Sequence, residues 1–496
     1  MSDNYILVDL GASNGRVIVA NVAEGKFDFD VIHRFDNVPV FCNEGDFCWD
    51  ILRIFGEVKD GIRLALDKYP DARSVAVDSW GCDFGFIDEQ GRLLGNPLHY
   101  RDEAQYKIIK EFHSIISEEE MNQLTQTPCS GIMGGYKLYQ LMKNDRFEYK
   151  YGKKLLMIPD IINYMLTGVV ANEFCNATMT MLADQKTRKW SEEVLDRFGF
   201  RKDIFTELSE PGTVLGPIKE SVCVEKGIKS IPVVLTASHD TAAAVAGIPV
   251  TQTDKKWGFV SLGTWALAGL ERPEPVIDPE LTAFELGNEG GTFGTTMLLK
   301  NINGLWLIQQ CRNRWKYELG RDISWGEIIQ AAIDAEDHDC VFDCDAEVFM
   351  GAPASMPRAI QEFMEKTGQY VPQTMGEIAR CVYKNLALRI AYTFRKIGAV
   401  INEEVELLHL IGGGTQTKLL CQWISSTVGV PVTAGPTETT AVGNLIFQLL
   451  ADGKISSLEE GRALSAASSE LDHYEPQDKE YWDKAMEYYV KTLGLE

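Results

Sequence analysis

Two segments half a chain apart carry the same short pattern, and this repetition restricts the architecture more than any other feature. Residues 6–20, ILVDLGASNGRVIVA, are two apolar strand-like runs joined by a tight turn that holds Gly11, Ser13, Asn14 and Gly15. Residues 257–269, WGFVSLGTWALAG, repeat strand, small polar turn and strand, with Leu262-Gly263-Thr264 echoing Leu10-Gly11-Ala12. One copy alone reads as a plain β-hairpin. Two copies predict an internally duplicated α/β fold with one hairpin in each half. Glycines let the turn backbone approach a ligand, and its N–H groups, with the Ser13 and Asn14 side chains, suit phosphate oxygens. Arg16 adds positive charge. The turn is not a Walker A loop, because it lacks GK[ST] and leads into a strand rather than a helix.

At 496 residues the chain exceeds the size at which a single core keeps growing, so two domains are expected. The pattern breaks at Gly247-Ile-Pro-Val-Thr, which divides the chain into lobes 1–246 and 247–496, the last helices packing back on the first lobe. Lys and Arg number 48 against 72 Asp and Glu, a formal charge of −24, which disfavours nucleic acid and anionic membranes as partners. An anionic ligand must therefore be held by backbone N–H groups, a few cations or a metal. The start MSDNYILVDLG shows no signal-peptide pattern and no run approaches a membrane span, so a cytoplasmic protein is expected. Eleven scattered cysteines read as reduced, buried small hydrophobes. His338, Cys340 and Cys344 lack a second CxxC-type pair to close a zinc site and read as strand residues.

The stretch TASHDTAAAV, residues 236–245, places Asp240 between a short apolar strand at 231–235 and an alanine-rich helix. A carboxylate at such a strand-to-helix switch sits where open α/β sheets place their ligands, although a lone Asp there often only caps its helix. Residues 74–84, SVAVDSWGCDF, give a strand ending in a turn with Trp80, Gly81 and Asp83. An indole suits the apolar face of a sugar and a carboxylate accepts from hydroxyls, while a core Trp beside a turn Asp is the plainer reading. Asp102 in HYRD reads as a helix cap. In the second half, 287–291 reads as a Gly-rich loop and 298–309 as polar residues leading into an apolar helix. Residues 406–420 read as strand, three glycines and a helix opening at Thr415, and Thr437 and Glu438 read as caps of the next helix. A GGG between strand and helix lets a flat or anionic group lie on bare backbone.

The ordered blocks VDLGASNGR, VDSWGCDF, HYRD, ASHDTAAAV, SLGTW, NEGG, KNINGLW, IGGGTQ and AGPTE with AVGN resemble the FGGY carbohydrate kinases over nearly the whole chain, and within them the branch that acts on L-rhamnulose. The resemblance implies two ribonuclease H-like lobes of the actin and hexokinase type with a nucleotide and sugar cleft between them. It also implies ATP with Mg²⁺ as cofactors, and transfer of the γ-phosphoryl group to the 1-hydroxyl of a ketose. Asp240 is then the general base. Trp80, Gly81, Asp83, His239, Thr241 and Asn301 face the sugar. Ser13, Asn14, Gly15, Arg16 and Thr264 contact the phosphates, Gly413, Gly414 and Gln309 the nucleotide, and Asp9 holds Mg²⁺ through water. Two segments depart from the branch, YRDEAQ where YRDxR is usual and GYKLYQL where FNTLYQL is usual, which leaves L-fuculose, L-xylulose or another ketose open. A non-catalytic actin-like nucleotide switch is the rival of a different kind, and it would need neither Asp240 nor the Trp80 and Asp83 turn. A small sugar is the expected partner, and the chain is expected to be a monomer or homodimer.

Overall fold

A computed structural model describes residues 2–42, 45–351 and 353–495. In the first half the strands of the main sheet are β1 (Asp3–Leu10), β2 (Asn14–Ala23), β3 (Lys26–Asp36), β4 (Val75–Ser79), β5 (Thr213–Pro217) and β6 (Pro232–Leu235). The helices that matter for the site are α1 (Ile51–Lys68), α2 (Ile158–Thr167) and α3 (Asp240–Ala246). The sheet order is β5-β6-β4-β1-β2-β3. β1, β2 and β3 form an antiparallel meander, and β4 and β6 run parallel to β1.

The second half repeats this scheme with β7 (Trp257–Leu262), β8 (Trp265–Arg272), β9 (Gly287–Gly290), β10 (Thr296–Asn303), β11 (Leu407–Ile411), β12 (Val432–Ala434) and β13 (Asp472–Tyr474). Its helices include α4 (Trp306–Leu319), α5 (Met375–Ile401), α6 (Lys418–Val428) and α7 (Thr439–Ala451). The order β9-β10-β8-β7-β11-β12-β13 contains the same five-strand unit, an antiparallel meander followed by two parallel strands. β7 therefore stands where β1 does, and α7 follows β12 as α3 follows β6.

β1 lacks the apolar and polar alternation of a half-exposed strand because both of its faces are buried. Ile6, Val8 and Leu10 pack toward α1, whereas Tyr5 and Leu7 pack with Ala441, Leu445 and Leu449 of α7. A helix of the second lobe thus covers one face of the first lobe's sheet. Polar bonds fix its register. Gln448 donates to the Ile6 carbonyl at 3.0 Å and accepts from Ser74 Oγ at 2.6 Å, and Asn444 donates to Asp78 at 2.6 Å. α7 also meets α3 without intervening side chains. A Cβ on Gly443 would lie 1.9 Å from the Ala243 carbonyl oxygen, and one on Gly247 would lie 2.3 Å from that of Thr439.

Several local readings change in the structure. Residues 287–290 are the strand β9 rather than a loop, because they pair with β10. Residues 298–303 belong to β10, and the helix begins only at Trp306. The second and third glycines open a short 3₁₀ turn, Gly413–Gln416, and α6 opens at Lys418 rather than at Thr415. The HDCVFDC residues form no strand. Cys340 packs against Cys381 of α5 with sulfurs 3.2 Å apart, and among the described residues no group of three or more ligands could hold a metal ion. Asp102 does cap its helix, accepting from the Ala104 N–H at 2.9 Å. Among the described residues no helix is long and apolar enough to cross a membrane.

The α3–α7 contact yields a stability prediction. Gly443→Ala forces the helices apart at a backbone carbonyl that has no side chain to yield, and it is expected to destabilise by about 1–3 kcal/mol or more. Chemical denaturation checks this, and Gly413→Ala, whose Cβ meets nothing within 4 Å, is the matched control with near wild-type stability.

Candidate active site

The three parallel strands of the first lobe end on one edge, and their last residues bring three carboxylates together. Asp9 is the direct cross-strand partner of Asp78, and Leu10 of Ser79. Ser79 in turn bridges to His239 beyond β6, its N–H donating to the Ser238 carbonyl at 2.8 Å. Asp240 follows as the first residue of α3. His239, at the N-cap, makes no side-chain capping bond, so neither residue serves the helix end in that way. The Asp240 carboxylate accepts from Thr241 Oγ1 at 3.3 Å and lies 3.5 Å from His239 Nε2, and about a third of its side chain, 35%, remains accessible. Burial, and then the charge of Asp9, push the Asp240 carboxyl up to about 7. Asp78, fully enclosed, is held well above the usual carboxylate range by burial and by Asp9, against the hydrogen bond from Asn444.

The segment that carries Asp240 is anchored from behind. Glu173 Oε2 accepts from the Ser238 N–H at 3.1 Å and from Ser238 Oγ at 2.9 Å, and Asn176 Nδ2 donates to the Ser238 carbonyl at 3.2 Å. Glu173 also accepts from the N–H groups of Cys175 and Asn176. A buried acceptor engaged by several donors fixes a loop more tightly than any single bond.

Gly81 lies against His239. A Cβ there would sit 3.2 Å from His239 Nε2 and 2.7 Å from Met179. Burial pushes the imidazole below its ordinary value, partly countered by Glu289, so the ring is neutral at physiological pH. Trp80 is buried and its ring lies 4.2 Å from that of Trp49, which stacks on His99 at 4.2 Å. The Asp83 carboxylate is fully enclosed. Oδ2 accepts from the indole N–H groups of Trp49 at 2.6 Å and Trp80 at 2.9 Å, and Oδ1 pairs with Lys137, whose ammonium also donates to the Leu98 carbonyl at 2.9 Å. The carboxylate thus orients two indoles. Lys137 belongs to the divergent GYKLYQL segment.

The twin hairpins join β1 to β2 and β7 to β8. Ser13 and Asn14 are exposed at the first turn, which is closed by a bond of 2.8 Å from the Gly11 N–H to the Asn14 carbonyl. Gly15 is required by packing, since a Cβ would lie 2.2 Å from the Phe35 ring. Arg16 pairs with Asp9 and reaches across to Glu438 Oε2 at 2.7 Å, so Glu438, although at the start of α7, does not cap it with its side chain. In the second hairpin Thr264 Oγ1 lies 3.4 Å from Gln309 Oε1 of α4. Asn301 is exposed on β10. The three glycines after β11 differ in their reasons. Gly412 takes φ +85°, Gly414 packs on Leu262, and Gly413 faces open space.

Two carboxylates went unremarked in the sequence. Asp78 ends VAVD as Asp9 ends ILVD, and that echo was the available signal. Glu289, in the NEGG block, is buried on β9 with Oε2 at 3.7 Å from His239 Nδ1. Only the antiparallel placement of β9 brings it there. The three-carboxylate edge leaves one Asp78 oxygen without a partner and does not place three ligands for direct coordination, so a divalent cation would be held there through its waters; Asp240, at 35%, is the most accessible side chain of the three and Asp9, at 10%, the next.

The comparisons agree with this geometry. The N-terminal domain of the FGGY family of carbohydrate kinases matches residues 4–247, and its C-terminal domain matches residues 258–451. The rhamnulokinase of Bacteroides thetaiotaomicron is 36% identical over 485 residues, covering 98% of both chains. That of Halalkalibacterium halodurans is 34% identical, covering 96% of this chain and all of the other, 100%. Plasmodium falciparum glycerol kinase with ADP superposes with a TM-score of 0.81 at 14% identity over 100% of this chain and 98% of that one. Gluconate kinase from Lactobacillus acidophilus gives 0.80 at 17%, with the same coverage of 100% and 98%. At such identities these two show the shared two-lobed fold alone. The chain belongs to the FGGY family of carbohydrate kinases.

Proposed function

We propose that the protein phosphorylates L-rhamnulose at its 1-hydroxyl with ATP as donor, and that Asp240 is the general base. The reading rests above all on Asp240, a carboxylate that neither caps its helix nor forms an ion pair with Lys or Arg, raised toward neutrality at the start of α3 with about a third of its side chain, 35%, accessible. The substrate is taken from the rhamnulokinase relatives, which align over nearly the whole chain. The lobes 1–246 and 247–496 are taken as the units that meet around the substrates.

In this reading Asp240 accepts the hydroxyl proton as the oxygen bonds to phosphorus, so the oxygen need not carry its positive charge into the transition state. His239 and Thr241 orient hydroxyls, Gly81 admits the sugar ring close to the backbone, and Trp80, held by Asp83, walls the pocket. Asn301 contributes from the second lobe. Ser13, Asn14, Gly15, Arg16 and Thr264 hold the phosphates, and Gln309, Gly413 and Gly414 the nucleoside. Asp9 would hold Mg²⁺ through water, and the cation would supply neutralisation of phosphate charge. Arg16 then has anionic oxygens as an alternative to Asp9 and Glu438.

Asp240→Asn is expected to lower kcat by about 10²- to 10⁴-fold with ATP affinity nearly unchanged. Single-turnover kinetics with a ketose panel checks this, and turnover fastest on L-fuculose or L-xylulose would reassign the substrate. The raised carboxyl sets a pH dependence as well. Protonated Asp240 cannot accept a proton, so at limiting Mg²⁺ and ATP kcat/KM should fall tenfold per pH unit below about 7. At saturating Mg²⁺ and ATP the limb should move to lower pH, because a cation near Asp9 favours the ionised form. A limb fixed near pH 4 would contradict the assignment.

The same shift has a sign for stability. Between the ordinary carboxylate value and about 7, the folded state holds a proton that the unfolded state has lost, so this group makes stability fall as pH rises through that window. Asp240→Asn is therefore expected to raise the thermal midpoint at pH 8 and to leave it nearly unchanged at the acid end of the window. Scanning calorimetry at both pH values reads the difference.

A further inference from the structure

We infer that Glu289, delivered from the second lobe, is a specificity-determining residue that shares one sugar hydroxyl with His239 across the interlobe seam. The inference rests on the sugar-kinase reading above and names a contact within it.

Two polar atoms carry it. His239 Nδ1 and Glu289 Oε2 are both buried, face each other at 3.7 Å and have no hydrogen-bond partner. That separation is too long for a direct bond, and buried groups of this kind are almost always satisfied in a working state. Their chemistry defines what fits. A neutral imidazole has a donor at one nitrogen and an acceptor at the other, and an ionised carboxylate offers only acceptors. A hydroxyl can accept from Nδ1–H and donate to Oε2 at once. A phosphate oxygen cannot donate, and a carboxylate so near already repels it. The neighbouring groups point the same way, because His239 Nε2 is 3.5 Å from Asp240 Oδ1, the carboxylate assigned to the acceptor hydroxyl.

Glu289 is held rigidly enough to discriminate. Its neighbours on β9 are bolted to the first lobe. Asn288 donates to the Gln126 carbonyl at 2.9 Å and its own carbonyl accepts from Gln185 at 2.8 Å, while the Gly290 N–H donates to Thr178 Oγ1 at 3.1 Å. Gly287 and Gly290 seat the strand closely, since a Cβ on them would strike Pro128 and Thr178. Strand alternation then turns the Glu289 side chain to the opposite face from Asn288 and Gly290, toward His239. A site built to bond a hydroxyl rejects an analogue without it far more strongly than an apolar pocket rejects a missing methylene.

The test pairs a side-chain deletion with substrate hydroxyl deletions in the full-length enzyme. kcat/KM is measured for L-rhamnulose and for monodeoxy derivatives, each lacking one of the hydroxyls that is not phosphorylated, with wild type, Glu289→Ala and Glu289→Gln. Glu289→Ala is expected to lower kcat/KM for the parent ketose by about 10²-fold, with KM for ATP unchanged. One derivative should be poor with wild type and no poorer with Glu289→Ala, a non-additive pair that a merely structural role would not produce. Glu289→Gln, which keeps an acceptor oxygen and the same shape, should retain part of the discrimination and the wild-type thermal midpoint. Additive losses for every derivative would overturn the inference and leave the kinase reading intact. A wild-type enzyme that turns over no ketose would overturn both.

Discussion

Three carboxylates meet at the ends of neighbouring strands, and their mutual repulsion in a partly dehydrated edge is what the surrounding structure has to hold. Asp9 and Asp78 are paired across β1 and β4, and Asp240 follows directly on the bridge from Ser79 to His239. Left alone, such a cluster would spread or take up protons. It is restrained by Arg16 on Asp9, by Asn444 on Asp78, and by Glu173 on the segment before Asp240. Two of these restraints involve the other half of the chain, since Asn444 lies on α7 and Arg16 also grips Glu438. The chemistry-bearing edge and the association of the lobes therefore depend on each other.

The duplicated architecture makes that dependence symmetrical in form. α3 and α7 occupy the same place in the two five-strand units, and they pack on each other through backbone rather than side chains. Close approach of this kind needs glycine on one helix and alanine or carbonyl on the other. β9 makes the second contact between the lobes, again with glycines at the places of closest approach.

The divergent GYKLYQL segment has a physical account. Lys137 places an ammonium in the first lobe's interior, where it neutralises Asp83 and so lets that carboxylate hold both the Trp49 and Trp80 indoles. A buried ion pair of this kind is weak evidence for added stability, because desolvation offsets most of its Coulombic gain. Its effect is geometric. Asp83 orients the aromatic wall from behind rather than presenting a free carboxylate to the pocket.

Periodicity and spacing alone determined a great deal. The repeated strand, turn and strand units announced two similar lobes, because an apolar run broken by small polar residues has few other folds, and the strand-to-helix switch marked Asp240, because a carboxylate there has a defined place on a parallel sheet. The Asp102 cap was legible for the same local reason. Residues 287–290 were not. Four residues rich in glycine carry no period, and only pairing with β10 makes them a strand and brings Glu289 to His239. Nor did any local pattern tell that Glu438 would abandon its cap for Arg16, or that Asp83 would spend its oxygens on indoles and a lysine. These outcomes turn on partners that are mostly tens to hundreds of residues distant in the chain, so they exist only once the fold has closed around each carboxylate.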